Sequence, residues 1–160
     1  VLSTNRNEPI MLRNRLSDAL KESLRSKKER EVGTIRLILA ALKLKDIDAR
    51  PKGITAIPDD EILQMMNGMI KQRRESIELY EKGNRPELAK QEAEEIEIIQ
   101  SFMPKQMDEA EVTAAIKAAI AQVGAASVKD MGKVMTAMRT KYAGQMDLGK
   151  ASSIVKGLLG

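Results

Sequence analysis

The chain has 160 residues, with three aromatic side chains and ten Met, a composition that favours packed helices and suffices for one full core or two small helical ones. It contains no Cys and no His, which excludes disulfides, a thiolate nucleophile and sulfur-ligated zinc, and removes the commonest proton shuttle at neutral pH. The formal net charge is +4, and no apolar run resembles a signal peptide or approaches the roughly 20 residues of a membrane span. We therefore expect a cytoplasmic, all-α protein without a membrane partner.

The spacing of apolar residues predicts seven helices and no strands. In chain order, the predicted helices span residues 11–25, 28–46, 60–82, 86–101, 109–122, 129–142 and 148–159. Pro104 cannot continue a helix, so we place a boundary there between an N-terminal helical domain of about four helices, residues 11–103, and a small C-terminal three-helix domain, residues 104–160. Residues 1–10 precede the periodic pattern and are interpreted as an upstream extension or an expression remnant, to which we assign no role.

Several helix starts carry a capping signature, in which a side-chain oxygen accepts a hydrogen bond from a first-turn N–H. They are Ser26 with Glu29, Asp108 with Glu111, Ser127 with Asp130, and Asp147 alone. Gly68 lies in the middle of the third predicted helix, where Gly costs about 1 kcal/mol relative to Ala. We expect this glycine to permit a close contact between helices.

Charge divides the sequence into three zones. Residues 11–52 contain twelve basic and six acidic residues, residues 59–101 contain six basic and eleven acidic residues, and residues 127–159 contain six basic and two acidic residues. The surplus of the last zone equals the net charge of the whole chain. An anionic partner is therefore expected at the C-terminal helices.

The basic residues of the last zone are candidates for contacts with the phosphates of RNA. They are Lys129, Lys133, Arg139, Lys141, Lys150 and Lys156. Lysines four residues apart on a helix can follow a nucleic-acid backbone, and each phosphate that they neutralise releases counterions. The alternative is a solvated helix face whose charges serve solubility. The scarcity of aromatic residues argues against base stacking and favours recognition of backbone and shape rather than of single-stranded sequence.

Two other patterns in the sequence bear on catalysis and metal binding. Lys150 and Ser153 have the spacing of a Ser–Lys nucleophile pair, but no oxyanion site or orienting group can be identified. The carboxylates of Glu92, Glu94, Glu95 and Glu97 lack the His of di-iron helical bundles, so a solvated or charge-partnering face is favoured. We predict no catalytic residue, no metal site and no cofactor.

The sequence DMGKVM at residues 130–135, preceded by Gly124, Ala125 and Ser127, resembles the GatB/YqeY family. The Leu-rich first helix, the charged turn at residues 25–31 and the junction FMPKQM at residues 102–107 are similar to features of its standalone YqeY-like members. The resemblance covers residues 11–159. It implies an α-helical N-terminal domain joined to a three-helix tail similar to the C-terminal domain of the B subunit of glutamine-dependent tRNA amidotransferase.

In that enzyme the tail is a tRNA-contacting module, whereas the amidase chemistry and the ATP and metal site lie in domains without a counterpart here. The leading hypothesis is a tRNA- or RNA-associated helical module without catalysis of its own, acting either alone or with a protein partner in translation or tRNA amidation. A second hypothesis is a component of a carbon–nitrogen ligase with glutamine as amido-N-donor. A third is a protein-interaction scaffold whose acidic zone meets a basic partner.

Overall fold

The computed structural model describes residues 11–160, and within this range the chain is all-helical, as predicted. It contains seven α-helices and no strand over these residues. They are α1 Leu12–Arg25, α2 Glu29–Ala49, α3 Asp59–Lys82, α4 Pro86–Gln100, α5 Glu109–Val123, α6 Met131–Lys141 and α7 Leu148–Leu159. Single 3₁₀ turns at Arg50–Lys52 and Val128–Asp130 precede the α2–α3 loop and α6. The expectation for residues 1–10 lies outside the described residues.

Helices α1 to α4 share one hydrophobic core. Its fully or nearly fully buried members are Leu12, Leu16, Ile35, Ile38, Leu42, Ile57, Ile62, Met65, Met66, Ile70, Ile96, Ile99 and Phe102. Helix α1 contributes Leu12 and Leu16, whereas α2 and α3 contribute buried residues at helical spacing over 34–42 and 62–70. Burial of such side chains, at about 1.5–3 kcal/mol each, is the main term that stabilises this unit.

The turn between α1 and α2 differs from the prediction, because Ser26 and Glu29 form no capping box. The Ser26 hydroxyl donates instead to Oε1 of Glu22, at 3.2 Å, and the N-cap residue Lys28 makes no side-chain capping bond. Lys27 adopts a left-handed conformation with φ of 56°. This conformation reverses the chain directly after Ser26, which leaves the serine on the end of α1.

Helices α5 to α7 enclose a second hydrophobic cluster, which we call the C-terminal core. Its buried members are Val112, Ile116, Ala119, Val134, Met138, Met146, Ala151 and Val155. The other predicted helix caps are present: Asp108 accepts from the N–H of Glu111, at 2.7 Å, and Asp147 from that of Gly149, at 2.8 Å. Ser127 and Asp130 form a reciprocal capping box. That residues 104–160 form a separate domain stays a prediction.

The loop at residues 142–147, between α6 and α7, rests against α3. The Asn67 side chain donates to the carbonyl of Met146, at 3.2 Å. Gly144 has φ of 75°, and a Cβ atom there would lie 2.8 Å from Cβ of Leu63. The close glycine contact is therefore made at this loop, whereas a Cβ atom on Gly68 would have no neighbour within 4 Å, so the prediction for Gly68 is wrong.

Candidate nucleic-acid interface

The six predicted RNA-contacting residues are all exposed, and none of them takes part in an ion pair among residues 11–160. The ion pairs of this range all lie between Arg13 and Glu95. The C-terminal cations therefore carry no internal carboxylate partner that a ligand would have to displace.

The acidic residues next to these cations are engaged by backbone N–H groups. Oδ2 of Asp130 accepts hydrogen bonds from Ala126, at 2.9 Å, and Ser127, at 3.3 Å. These bonds, with a smaller contribution from the charge of Lys133, hold the pKa of Asp130 below its usual value. Asp147 caps α7 in the same way. Both carboxylates hold helix starts, as predicted for Asp130.

Lys129 and Lys133 lie one turn apart, at the 3₁₀ turn and the first turn of α6. The exposed Thr136 and Thr140 continue the same face, and their hydroxyls donate to backbone carbonyls one turn earlier, at 2.8 Å and 2.9 Å. The two lysines are therefore the cationic end of one polar stripe that runs along α6.

Lys150 and Lys156 do not lie on one face of α7. Residues six positions apart are separated by about 120° around the helix axis. The buried Ala151 and Val155 occupy the wider of the two arcs between the lysines. Lys150 borders a cleft against α3. Lys156 lies in the last turn of α7, and this end of the helix approaches the start of α6, since a Cβ atom on Gly160 would lie 3.8 Å from a methyl carbon of Val128.

Arg139 and Lys141 lie at the opposite end of α6 from Lys129 and Lys133. The ammonium group of Lys141 is 5.5 Å from the centroid of the Tyr142 ring, within the range of a cation–π contact. The structure thus divides the six cations among three places: the start of α6 with the end of α7, the end of α6, and the cleft.

The cleft, of about 1010 Å³, separates α3 from α5 and α7. Its α3 wall is a polar stripe at helical spacing, opposite the buried face of that helix. The stripe consists of Gln64, Asn67, Gly68, Lys71, Arg74, Glu75 and Glu78. Lys71 and Arg74 are not among the predicted RNA-contacting residues, because the net charge of residues 59–101 is negative and directed the prediction to the C-terminal zone. With Gln64 and Asn67 they recur at spacings of three, four and three residues, which indicates that all four side chains lie on one face of α3.

The alternative chemical patterns have structural explanations. The Ser153 hydroxyl donates to the carbonyl of Gly149, at 3.2 Å, so it is engaged with the backbone rather than with Lys150. In the glutamate cluster, Arg73 pairs with Glu95, at 2.9 Å, and reaches Glu92 at 4.0 Å. Glu94 pairs with Arg30, at 3.4 Å. These glutamates join helices, in agreement with the charge-partnering interpretation.

Within residues 11–160, no three His, Cys, Asp or Glu side chains are grouped as metal ligands would be. Over the same residues, every helix is too short or too polar to cross a membrane.

The chain is similar to fungal proteins over about half of its length. It is 33% identical over 88 residues to altered inheritance of mitochondria protein 41, mitochondrial, of Vanderwaltozyma polyspora, and 34% identical over 88 residues to the protein of the same name of Eremothecium gossypii. Each match covers 55% of this chain and 46% of the relative. An uncharacterized protein of Schizosaccharomyces pombe is 24% identical over 86 residues, which are 54% of this chain and 67% of that protein. The chain thus spans about half the length of the first two relatives.

The names of the two mitochondrial relatives contradict the cytoplasmic location predicted from the sequence. That prediction relied on the lack of an apolar span and of the hydrophobic core of a signal peptide. Segments that direct proteins to mitochondria are amphipathic and rich in Arg and Ser. A search for apolar runs cannot detect them, which is why the prediction was wrong.

The family comparison covers more of the chain than these relatives do. The family model described as Yqey-like protein matches residues 13–159, which include all of α2 to α7 and the DMGKVM sequence. Because this match extends over nearly the whole chain, the protein belongs to the YqeY-like family.

Proposed function

We propose that this protein is an RNA-associated helical module that contacts the phosphates of tRNA or another structured RNA through its C-terminal helices, without catalysis of its own. The observation that carries the proposal is the state of the six C-terminal cations. All are exposed and without an ion-pair partner among the described residues, and the neighbouring Asp130 and Asp147 are used as helix caps.

Phosphate binding by such cations is favoured by the release of counterions from the nucleic acid. An exposed lysine without a partner can bind a phosphate without breaking an internal salt bridge. The free energy gained from counterion release is therefore not offset by the loss of such a bridge. The resemblance to the GatB/YqeY family implies a three-helix tail similar to the tRNA-contacting tail of the amidotransferase B subunit, and this supports RNA as the polyanion.

The acidic zone is less available to a basic protein than its composition suggests. Glu92 and Glu95 face Arg73, whose side chain is only 12% exposed, and Glu94 faces Arg30. These contacts favour the RNA hypothesis over the scaffold hypothesis. The ligase hypothesis is tested separately, by glutaminase and transamidation assays on the purified protein, in which our proposal predicts no turnover.

The RNA proposal is tested by the fluorescence anisotropy of labelled tRNA titrated with the protein. We define the tail variant as Lys129→Gln, Lys133→Gln and Lys156→Gln together. If each lost contact contributes about 0.5 kcal/mol, as exposed charge pairs do, the tail variant should bind about tenfold more weakly than the wild type. Failure of the wild type to bind tRNA, or an unchanged affinity in the tail variant, would contradict the proposal.

The matched control removes three exposed lysines from the N-terminal unit, and we call it the N-terminal control variant: Lys21→Gln, Lys43→Gln and Lys45→Gln. None of the three takes part in an ion pair among the described residues. Arg13 and Arg15 are unsuitable, because Arg13 pairs with Asp46 and Arg15 donates to the carbonyl of Phe102. The control should bind tRNA nearly as the wild type does.

A further inference from the structure

The cleft between α3 and α7 has the size of a ligand site rather than of a groove for a duplex. Its volume of about 1010 Å³ is at the upper end of the range of small-molecule pockets. A few nucleotides of single-stranded RNA can be accommodated in such a space, whereas a double helix cannot.

Three exposed cations border this cleft, and they come from both units of the chain. Lys71 and Arg74 lie on α3, and Lys150 lies on α7. None of the three has an ion-pair partner among residues 11–160. The neighbouring Arg73 differs, because it is only 12% exposed and is bound to Glu95. Two adjacent residues of α3 thus have different environments, one inside the fold and one at the cleft.

Four amide side chains border the same cleft, namely Gln64, Asn67, Gln100 and Gln106. An amide carries both donors and acceptors, and such groups pair with the edges of bases. The NH₂ groups of Asn67 and Gln106 donate to the carbonyls of Met146 and Gly144. Nε2 of Gln64 is buried and has no hydrogen-bond partner among the described residues. An unsatisfied buried donor of this kind costs about 1–3 kcal/mol, which rotation of the Gln64 side chain toward an acceptor in the cleft would relieve.

Acidic residues limit where phosphates can lie in the cleft. Glu75 and Glu78 continue the polar stripe toward the C-terminal end of α3, and Glu109 lies in the first turn of α5. Asp147, which also borders the cleft, is engaged by the N–H of Gly149. Repulsion from Glu75 and Glu78 disfavours phosphates at the outer end of α3, so the phosphate path is confined to Lys71, Arg74 and Lys150.

We propose that this cleft binds a single-stranded segment of RNA, with its phosphates on Lys71, Arg74 and Lys150 and its bases or riboses hydrogen-bonded to the amide side chains rather than stacked on aromatic rings. The inference rests on the proposed RNA association and adds a second contact surface to it. The exposed surface that carries Lys129, Lys133 and Lys156 binds structured RNA, and the cleft that Lys150 borders receives an unpaired extension of the same molecule.

The test compares two RNA probes, a blunt hairpin and the same hairpin with a four-nucleotide single-stranded extension. The cleft variant is Lys71→Gln, Arg74→Gln and Lys150→Gln together. The extension should tighten binding by the wild type and by the N-terminal control variant, by about tenfold, and this gain should disappear in the cleft variant. Equal affinity of the wild type for both probes would overturn the cleft assignment while leaving the proposed function intact. Failure of the wild type to bind either probe would overturn the proposed function itself.

A second measurement uses the wild type alone, so it does not depend on the folding of a variant. A tetranucleotide is added to ¹⁵N-labelled protein, and the side-chain NH₂ resonances are followed by NMR. The resonances of Gln64, Asn67, Gln100 and Gln106 should shift, whereas those of Gln91, outside the cleft, should not. An absence of shifts in all four cleft amides would overturn the inference.

Discussion

Basic side chains serve different purposes in the N-terminal unit, which comprises α1 to α4, and in the C-terminal unit, which comprises α5 to α7. In the N-terminal unit, Arg13 and Arg73 are held against carboxylates at 2.6 Å and 2.9 Å, with side chains that are 24% and 12% exposed. In the C-terminal unit no cation among the described residues takes part in an ion pair, a state that only some N-terminal cations share, such as Lys21, Lys43 and Lys45. The difference shows that charge composition does not distinguish cations that hold a fold together from cations available to a ligand. The position of each carboxylate does.

The largest expected effect is at the junction of the two units. Gly144→Ala would place a Cβ atom 2.8 Å from Cβ of Leu63, at a residue with φ of 75°. Overpacking and left-handed strain together should destabilise the protein by about 3 kcal/mol, measured by urea unfolding. Gly124→Ala is the control, because its φ of 68° is similar but its surroundings are open, so it should cost about 1 kcal/mol. Equal losses for the two variants would show that the loop does not pack tightly on α3.

Removal of an N-terminal carboxylate should have the next largest effect. Asp46 accepts two hydrogen bonds from Arg13, at 2.6 Å and 2.8 Å, and one from the N–H of Ile57, at 2.9 Å. Asp46→Ala should therefore lower the free energy of unfolding by about 2 kcal/mol. Asp48→Ala, at an exposed neighbouring position, should have almost no effect. Equal stability of the two variants would contradict a structural role for the Arg13–Asp46 pair.

The pH dependence of this contribution has a definite sign. The hydrogen bond with Arg13 holds the pKa of Asp46 below its ordinary value. Its stabilising contribution is therefore complete above the unfolded-state pKa, near pH 4, and is lost as the pH falls through the lower folded-state value. The stability difference between the wild type and Asp46→Ala should shrink over that acid range.

Two adjacent arginines provide an internal comparison of structural and free cations. Arg73→Gln breaks the contact with Glu95 at 2.9 Å and should destabilise the protein by about 1.5 kcal/mol. Arg74→Gln removes an exposed side chain without an ion pair among the described residues and should change stability by less than about 0.5 kcal/mol. Thermal unfolding of both variants measures the difference. Similar shifts in melting temperature would contradict the distinction.

The smallest effect expected is a gain in stability at Glu92. Burial, and then the nearby charge of Glu95, raise the pKa of Glu92, and Arg73 at 4.0 Å compensates only in part. Because the folded-state pKa is raised, the stabilising contribution of this group to the folded state is complete below about pH 4.3. It is lost as the pH rises through the folded-state value. Glu92→Gln should therefore stabilise the protein at neutral pH, by up to about 0.5 kcal/mol. A destabilised Glu92→Gln variant would instead indicate that the contact with Arg73 dominates.

The helices were predictable from the sequence because their apolar residues recur with a strong helical period. The end of α2 was placed too early, since the chain remains helical to Ala49 before Pro51. The predictions of a capping box at Ser26 and of a close helix contact at Gly68 were wrong because both features depend on tertiary geometry. A capping motif cannot foresee the left-handed Lys27, and the cost of a helical glycine does not reveal whether it meets a neighbour or open space.

The candidate interface was predictable in part for the same reason. The exposure of the C-terminal cations follows from their positions opposite the apolar stripes of α6 and α7. The separation of Lys150 from Lys156 likewise follows from their spacing on α7, whereas the position of Lys150 beside a cleft against α3 is a feature of the tertiary structure that no sequence pattern shows. Lys71 and Arg74 were hidden because a net charge summed over a zone conceals local cationic groups.

The salt dependence of tRNA binding tests most directly the claim that the C-terminal cations are free for phosphates. The slope of log K against log salt concentration is measured for the wild type, the tail variant and the N-terminal control variant. The account predicts that the slope of the tail variant is shallower by roughly 0.7 to 0.9 for each of its lost contacts, with thermal stability unchanged and the control equal to the wild type. A tail variant that keeps the wild-type slope, or a control that loses as much slope as the tail variant, would contradict it.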